Sequence, residues 1–264
     1  MRKEVSPNSK ILRKIIIGIA VYAGAFLFSL ILLTPFISVF KYAESSVSAI
    51  STFIAGFAAF LTITGDEKTL LLYNPKAIFA KKVYFFIFVI LTSFAFTVIF
   101  NYLYSKIPWG IFGTKHVTQD NETLYSVPLY FRLIVYVVIG PFAEEILFRG
   151  VIFSRFNKII PLMGAVLCSS VFFGVYHGNL MQGTYAFFMG SIMCLMLHYG
   201  GSIFYPFLFH MIANLISNIC YEYVNINNVI YSPVTIILSA AYLVVAIILS
   251  FVLKDKLTKK DKKC

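Results

Sequence analysis

The sequence predicts an all-α, polytopic integral membrane protein with about eight transmembrane helices. Of its 264 residues, 59% are hydrophobic and only 12% are charged, and the mean hydropathy is +0.85. Soluble domains carry about 25% charged residues, so this composition excludes an ordinary soluble protein. The apolar residues fall into eight runs, each near the length of about 20 residues that a helix needs to cross a bilayer.

The eight apolar runs are separated by short breaks that carry charged or turn-forming residues. The longest break, 105–127, is polar and is expected to form an external loop. The first run is too long for a signal-peptide core and is expected to be the first membrane anchor. The runs cover approximately residues 15–40, 46–65, 83–104, 128–152, 159–178, 180–199, 203–221 and 233–253.

The basic residues predict the orientation in the membrane. Most of the 22 lysines and arginines fall on one side when the N-terminus is placed inside, and they crowd the two tails. This asymmetry predicts a multi-pass cell-membrane protein with both termini cytoplasmic. The net charge of +11 does not indicate nucleic-acid binding, because the charges follow topology. The predicted partners are the lipid bilayer and a membrane-bound protein or peptide substrate, with no nucleic acid.

Charged residues interrupt the fourth run, in the stretch IGPFAEEILFRGVIF at 139–153. Each charge costs about 2.5–3.5 kcal/mol in the middle of a membrane helix, so such residues usually mark a functional site. Glu145 and Arg149 are four residues apart and are expected to pair, whereas Glu144 points about 100° away. A purely structural alternative is that Arg149 neutralises both glutamates. Arg132, near the outer end of the run, is expected to reach the membrane interface.

Two later runs carry histidines at helical spacing with other site candidates. Phe173 and His177 share a face of the fifth run, and His210 and Asn214 share a face of the seventh. A single membrane histidine is more often a packing residue, but two of them beside an asparagine and an unpaired glutamate favour a site. A desolvated glutamate suits the role of general base toward water, and the other three side chains can orient water or stabilise an oxyanion.

These residue types together describe hydrolysis of an amide by an activated water. The sequence contains no G-x-S-x-G, Ser–Lys, H-E-x-x-H or P-loop motif. Serine and cysteine nucleophiles therefore have no good candidate. Zinc stays possible, with Glu144, His177 and His210 as ligands, but the helical partner of His210 is Asn214, which is a poor zinc ligand. No cofactor is favoured.

Three motifs in chain order resemble those of a known family. They are E-E-x-x-x-R (Glu144, Glu145, Arg149), F-x-x-x-H (Phe173, His177) and H-x-x-x-N (His210, Asn214). The pattern is similar to the CAAX protease and bacteriocin-processing family of intramembrane proteases, also called the Abi family, which includes the Ras-converting CAAX endopeptidase of eukaryotes. The resemblance covers roughly residues 128–220 and divides the chain into a basic tail (1–14), N-terminal membrane helices with the external loop (15–127), a CAAX-protease-like catalytic core (128–220), and the last membrane helix with a basic tail (221–264).

The resemblance implies an eight-helix fold around a catalytic cavity and an intramembrane endopeptidase activity on a membrane-associated protein or peptide. It implies that Glu144 is the base, that His177 helps to hold the water, and that His210 and Asn214 form the oxyanion site. Glu145, Arg149 and Phe173 would support them. Two alternatives remain: a membrane transporter that uses Glu and His as a proton relay, and a catalytically silent bacteriocin-immunity or peptide-binding membrane protein.

Overall fold

The computed structural model describes residues 6–39, 42–74, 77, 83–109 and 126–261, with side chains up to residue 248 except at 43, 66 and 70. Within these ranges the chain is helical and contains no strand, which confirms the all-α prediction. Most of the predicted external loop lies outside the described residues, as do the side chains of the C-terminal basic tail.

Each predicted apolar run coincides with one long helix, and two short helices, α3 and α9, occupy breaks. Residues 34–39 continue α1 as a 3-10 helix. The helices are α1 (Pro7–Leu33), α2 (Ala43–Leu61), α3 (Gly65–Leu72), α4 (Val83–Ser105), α5 (129–156), α6 (Leu162–Tyr176), α7 (Leu180–Gly200), α8 (Phe204–Glu222), α9 (Val224–Ile230) and α10 (Pro233–Asp261).

Four helical segments in the described part of the chain are long and apolar enough to cross a membrane by themselves. They are Pro7–Val39, Glu44–Leu61, Val83–Ser105 and Leu180–Gly200; α9 and α10, which meet at a bend of 48°, make a fifth if they form one broken span. These helices confirm a membrane protein. The other predicted spans, α5, α6 and α8, are shorter or carry the charged and amide side chains, so the total of eight stays a prediction.

Helix α5 is irregular and alternates between two hydrogen-bond patterns. It has π-helical turns at Leu133–Ile139 and Ile146–Phe153 and an α-helical segment, Gly140–Glu145, between them. A π turn inserts one extra residue into a helix and is frequently found at functional sites. The glutamate pair lies at the junction where the α segment passes into the second π turn.

Pro141 accounts for the first irregular turn of α5. The N–H of Gly140 donates to the carbonyl of Val135, five residues back, and Pro141 has no N–H to continue the pattern. The carbonyl of Tyr136 is therefore left without its helical donor. An unpaired carbonyl inside a membrane protein costs several kcal/mol, so it requires a partner from another helix.

Small residues bring the core helices close together. A Cβ placed on Gly56 of α2 would lie 2.6 Å from the Cα and Cβ of Ala143, next to the glutamate pair in α5. A Cβ on Gly174 of α6 would lie 2.8 Å from the carbonyl oxygen of Gly183 in α7, and the reverse holds equally. Glycine is thus required at these crossings by space alone.

Arg132 has a partner that its sequence neighbours do not indicate, and its expected position at the membrane interface stays a prediction. Its side chain is buried and forms an ion pair with Glu222 at the end of α8, and its guanidinium carbon lies 5.5 Å from the ring centroid of Tyr221. The sequence gives no signal for this pair, because the two residues are 90 positions apart. The pair joins the start of α5 to the end of α8.

A charged cluster of Glu67, Lys14, Arg155 and Lys158 joins α1, α3 and the C-terminal end of α5. This is the end of α5 opposite to the Arg132–Glu222 pair. Glu67 accepts from Lys158 at 3.0 Å, Arg155 at 3.3 Å and Lys14 at 3.4 Å. Arg155 is buried and also donates to the carbonyls of Lys14, at 2.7 Å, and Thr62, at 2.8 Å. Arg155 therefore fixes the relative position of α1, α2 and α5. It is also one of the basic residues that predict the cytoplasmic side.

The Glu67 cluster predicts a pH-dependent stability. Burial tends to raise the pKa of the Glu67 carboxyl, but the Lys158 hydrogen bond and the charges of Lys158, Arg155 and Lys14 outweigh it and hold that pKa below its ordinary value. A carboxyl with a lowered folded pKa stabilises the protein above its unfolded pKa of about 4.3 and loses that contribution as the pH falls through the folded value.

We expect Glu67→Gln to lower the thermal midpoint in detergent by a few degrees near neutral pH, and the difference from wild type to disappear as the pH is lowered below about 4. The measurement is a series of melting curves for the two proteins between these pH values. Glu44→Gln, which removes an exposed carboxyl in the first turn of α2, is the matched control and is measured in the same series. A constant difference at every pH would contradict the assignment.

Candidate active site

The two adjacent glutamates of α5 have different surroundings. The side chain of Glu145 is 1% exposed and that of Glu144 is 16% exposed. Neighbouring residues in a helix point about 100° apart, so one glutamate can face the helix bundle while the other faces a less enclosed space. The structure therefore gives each carboxylate its own set of contacts.

Glu145 is held by two buried donors, the guanidinium of Arg149 and the imidazole of His210. Its Oε1 atom accepts from Nη1 of Arg149 at 3.0 Å and from Nδ1 of His210 at 2.9 Å. The predicted i, i+4 pair of Glu145 with Arg149 is confirmed. Within the described residues Arg149 forms its ion pair with Glu145 and not with Glu144, which disfavours the reading in which one arginine neutralises both acids.

Phe173 and Gly190 complete the surroundings of the Arg149 guanidinium. The guanidinium carbon lies 4.4 Å from the centroid of the Phe173 ring, a cation–π contact between two fully buried side chains. A Cβ on Gly190 of α7 would lie 3.1 Å from Nη2 of Arg149 and 3.1 Å from the Phe173 ring. Glycine at this position leaves the space that the guanidinium occupies.

His210 lies between the two carboxylates and presents one ring nitrogen to each. A carboxylate only accepts, so Nδ1 of His210 donates to Glu145, and this bond fixes the orientation of the ring. Its Nε2 atom then lies 3.7 Å from Oε2 of Glu144, which is close but longer than a hydrogen bond. Glu144 accepts no hydrogen bond from the part of the chain that the structure describes.

His177 ends α6 with one ring nitrogen engaged and the other free to accept. Its Nδ1 atom donates to the carbonyl of Phe173 at 2.8 Å, so in the neutral ring Nε2 carries the lone pair. The ring stands edge-on to Phe173 with centroids 4.8 Å apart, and Phe173 stands edge-on to His210 at 5.8 Å. Phe173 therefore contacts the rings of both histidines. Gly178, with φ of +70°, allows the chain to leave the helix directly after His177.

Asn214 supplies the partner that the irregular turn of α5 requires. Its Nδ2 atom donates to the carbonyl of Tyr136 at 2.7 Å, which is the carbonyl left without a helical donor before Pro141. One amide N–H of Asn214 is thus used to hold α5 against α8. Its second amide N–H is the only one left to donate to a substrate, and the oxyanion role of Asn214 stays a prediction.

The candidate zinc ligands do not form a metal centre in this arrangement. Across residues 6–39, 42–74, 77, 83–109 and 126–261, no three histidine, cysteine, aspartate or glutamate side chains are grouped so as to hold a metal ion. Nδ1 of each histidine is already hydrogen-bonded, to the Phe173 carbonyl and to Glu145, which leaves only Nε2 of each ring for a metal. Within the described residues these three side chains are not grouped as a zinc site, so metal dependence stays a prediction and no step is derived through a metal.

Two tyrosines that belong to none of the three sequence motifs adjoin the site. The hydroxyls of Tyr22 in α1 and Tyr176 in α6 lie 3.1 Å apart, and the Tyr176 ring stands edge-on to His177 with centroids 5.6 Å apart. The position of Tyr176 directly before His177 is a weak sequence signal. Tyr22 gives none, because it is one aromatic residue in an apolar run more than 120 positions before Glu144.

A cavity of about 280 Å³ lies away from these residues, beside the Glu67 cluster. Asn157 and His198, whose side chains are 3.4 Å apart, contribute to its lining together with Lys158. None of the residues predicted for the site lines it. Its Glu67 carboxylate is already paired with Lys14, Arg155 and Lys158, and the motif residues lie in the Glu144–His210 region instead.

Comparisons with known proteins agree with the resemblance predicted from the motifs. Residues 126–216 match the family described as type II CAAX prenyl endopeptidase Rce1-like. That segment contains all three motifs, from Glu144 to Asn214. The predicted resemblance to CAAX proteases is therefore confirmed.

Two bacterial proteins are similar over part of their length. The chain is 28% identical over 132 residues to the membrane-embedded CAAX protease MroQ of Staphylococcus aureus (strain USA300), covering 47% of this chain and 53% of that protein. It is 28% identical over 113 residues to YdiL of Bacillus subtilis (strain 168), provisionally named a membrane peptidase, covering 41% of this chain and 46% of that protein. The chain thus spans about half the length of the relatives it matches. No solved structure matches it.

Proposed function

We propose that this protein is an intramembrane endopeptidase that hydrolyses a peptide bond of a membrane-associated protein or peptide. One observation carries the proposal. Within the segment that is similar to CAAX prenyl endopeptidases, Glu144 is free of Arg149 and faces Nε2 of a buried histidine whose other nitrogen is fixed by Glu145. An unpaired carboxylate beside an oriented imidazole is the arrangement that general-base hydrolysis requires.

In the proposed reaction Glu144 acts on water. Its carboxylate takes one proton from a water molecule as the water oxygen attacks the carbonyl carbon, and the carbonyl electron pair moves onto the carbonyl oxygen. Nε2 of His177 accepts a hydrogen bond from the second O–H of the water, which keeps that proton, and so directs the lone pair of the water oxygen toward the substrate. The tetrahedral intermediate then collapses, the C–N bond breaks, and the protonated Glu144 returns its proton to the leaving amine.

His210 and Asn214 serve the oxyanion in this proposal. Nε2 of His210, when it carries a proton, donates to the developing negative charge, and the Glu145 carboxylate at Nδ1 stabilises the resulting imidazolium. The free N–H of Asn214 is the second donor. Arg149 pairs with Glu145 and does not contact the substrate.

The proposal is tested by cleavage of a peptide library by the purified protein in liposomes, with products identified by mass spectrometry. Cleavage at defined peptide bonds is expected, and including prenylated and unprenylated versions of each peptide identifies the substrate class. Binding of peptides without any cleavage would instead support the silent peptide-binding alternative. The transporter alternative has no support from the named relatives, which are described as a protease and a peptidase.

We further propose that catalysis does not use a metal, since a carboxylate base performs the same proton transfer. Prolonged treatment with a strong zinc chelator is expected to leave the cleavage rate unchanged. The measurement is the initial rate before and after chelation, with metal content determined on the same sample. Loss of activity on chelation that is restored by added zinc would contradict the proposal.

The proposed orientation places both termini in the cytoplasm. Reporter fusions at residue 118 are expected to be external, and fusions at residues 74 and 258 to be cytoplasmic, because the basic residues concentrate on that side. Activity of a paired set of reporters, one active only inside the cell and one only outside, measures this. A C-terminus on the external side would contradict the eight-span topology.

A further inference from the structure

The Tyr22–Tyr176 pair joins α1 to the end of α6 beside the proposed base. Tyr22 is 5% exposed, and its hydroxyl lies 3.1 Å from that of Tyr176. The ring of Tyr176 packs edge-on to Phe148 with centroids 5.3 Å apart and edge-on to His177 at 5.6 Å. Phe148 follows Glu144 by four residues in α5, so Tyr176 packs against the same side of α5 that carries the Glu144 side chain.

The neighbouring crossing of α1 and α5 explains how Tyr22 reaches this region. A Cβ on Gly18 would lie 2.4 Å from the Val151 side chain, so α1 runs in close contact with α5. Tyr22 follows Gly18 by four residues on the same face of α1. In the predicted topology α1 and α5 cross the membrane in opposite directions. One turn toward the C-terminus of α1 therefore corresponds to one turn toward the N-terminus of α5, from Val151 toward Glu144.

One hydroxyl proton of the Tyr22–Tyr176 pair has no acceptor within the pair. Two phenol hydroxyls carry two protons, and their mutual hydrogen bond uses only one of them. Glu144, which is largely enclosed, accepts no hydrogen bond from the described residues and lies one helical turn before Phe148, whose ring the Tyr176 ring contacts. A carboxylate taken out of water requires donors, and a water molecule bridges polar groups that are too far apart for direct contact.

We propose that Tyr22 and Tyr176 are positioning residues of the active site, whose hydroxyl pair supplies, through a bound water, the hydrogen bond that holds the Glu144 carboxylate toward His210. The inference rests on the proposed function and adds a residue from α1, which lies outside the segment similar to CAAX prenyl endopeptidases. Tyr176 is adjacent to the site, and Tyr22 acts through it.

The test is the steady-state cleavage rate of Tyr22→Phe, Tyr176→Phe and the double variant. Phenylalanine keeps the ring packing and removes only the hydroxyl. Loss of one hydrogen bond to a charged group is expected to lower kcat by about tenfold with KM unchanged. Because the two hydroxyls act as one unit, the double variant is expected to be no slower than Tyr176→Phe alone.

A second tyrosine pair provides the matched control. The hydroxyls of Tyr42 and Tyr130 lie 3.4 Å apart on an exposed part of the molecule. Tyr42→Phe and Tyr130→Phe remove the same atoms and are expected to leave kcat at the wild-type value. Melting curves of all the variants in detergent separate loss of folding from loss of catalysis.

Glu144→Gln, measured in the same assay, separates this inference from the proposed function. If cleavage depends on Glu144 but the Tyr22 and Tyr176 variants behave as the control pair does, the inference is overturned and the proposed function stands. The inference is also overturned if these variants lower kcat only in proportion to a loss of folded protein. If no cleavage depends on Glu144, the proposed function and the inference are both overturned.

Discussion

Replacement of Arg149 with alanine is expected to destabilise the protein by about 3–5 kcal/mol, because it leaves a buried carboxylate without its cation. Arg149 is fully buried and Glu145 is 1% exposed, so water cannot replace the lost partner. The substitution also removes the cation over the Phe173 ring, 4.4 Å from its centroid. His210 alone would then have to compensate the Glu145 charge. The measurement is the free energy of unfolding in detergent, from denaturant titration at neutral pH.

The Glu145–Arg149 pair allows a sharper version of this experiment. Replacing both residues with leucine removes the two charges together, and breaking a pair costs far more than exchanging it for apolar groups. The double variant is therefore expected to be more stable than Arg149→Ala. Glu144→Gln is the matched control, since it removes a neighbouring carboxylate that Arg149 does not contact, and it should leave stability nearly unchanged. An equal loss in Glu144→Gln would show that Glu144 belongs to the structural pair.

Local geometry explains why part of the site could be predicted. A helix fixes which residues lie one turn apart, so the sequence alone indicated that Glu145 would meet Arg149 and that Phe173 would share a face with His177. Both contacts are present in the structure. The helices themselves followed from apolar runs of the length that a bilayer requires.

Contacts between distant helices could not be predicted in the same way. Arg132 meets Glu222 across 90 positions, and periodicity within one helix carries no information about such a partner. The link from Asn214 to the Tyr136 carbonyl depends on how Pro141 and a π turn change the backbone bonding of α5, and the apolar pattern is the same with or without that turn. Tyr22 was missed because nothing in its run distinguishes it from a packing residue.

The difference between the two glutamates was predicted in direction but not in its cause. Helical geometry indicated that Glu144 points away from Arg149. The structure adds that His210 presents a different ring nitrogen to each glutamate. Its Nδ1 atom donates to Glu145, and its Nε2 atom lies 3.7 Å from Glu144. The sequence placed His210 only on the seventh apolar run, 65 positions after Glu145.

The central claim is that Glu144 is the base, and the kcat of Glu144→Gln for a cleaved peptide tests it most directly. Glutamine keeps the shape of the side chain and cannot accept a proton from water, so kcat is expected to fall by about 10²–10⁴-fold. The melting temperature of the variant should remain that of wild type, because Glu144 is not held by Arg149. Glu44→Gln, at an exposed glutamate of α2, should cleave at the wild-type rate. A folded Glu144→Gln protein that cleaves the same peptide at the wild-type rate would contradict the assignment of Glu144 as the catalytic base.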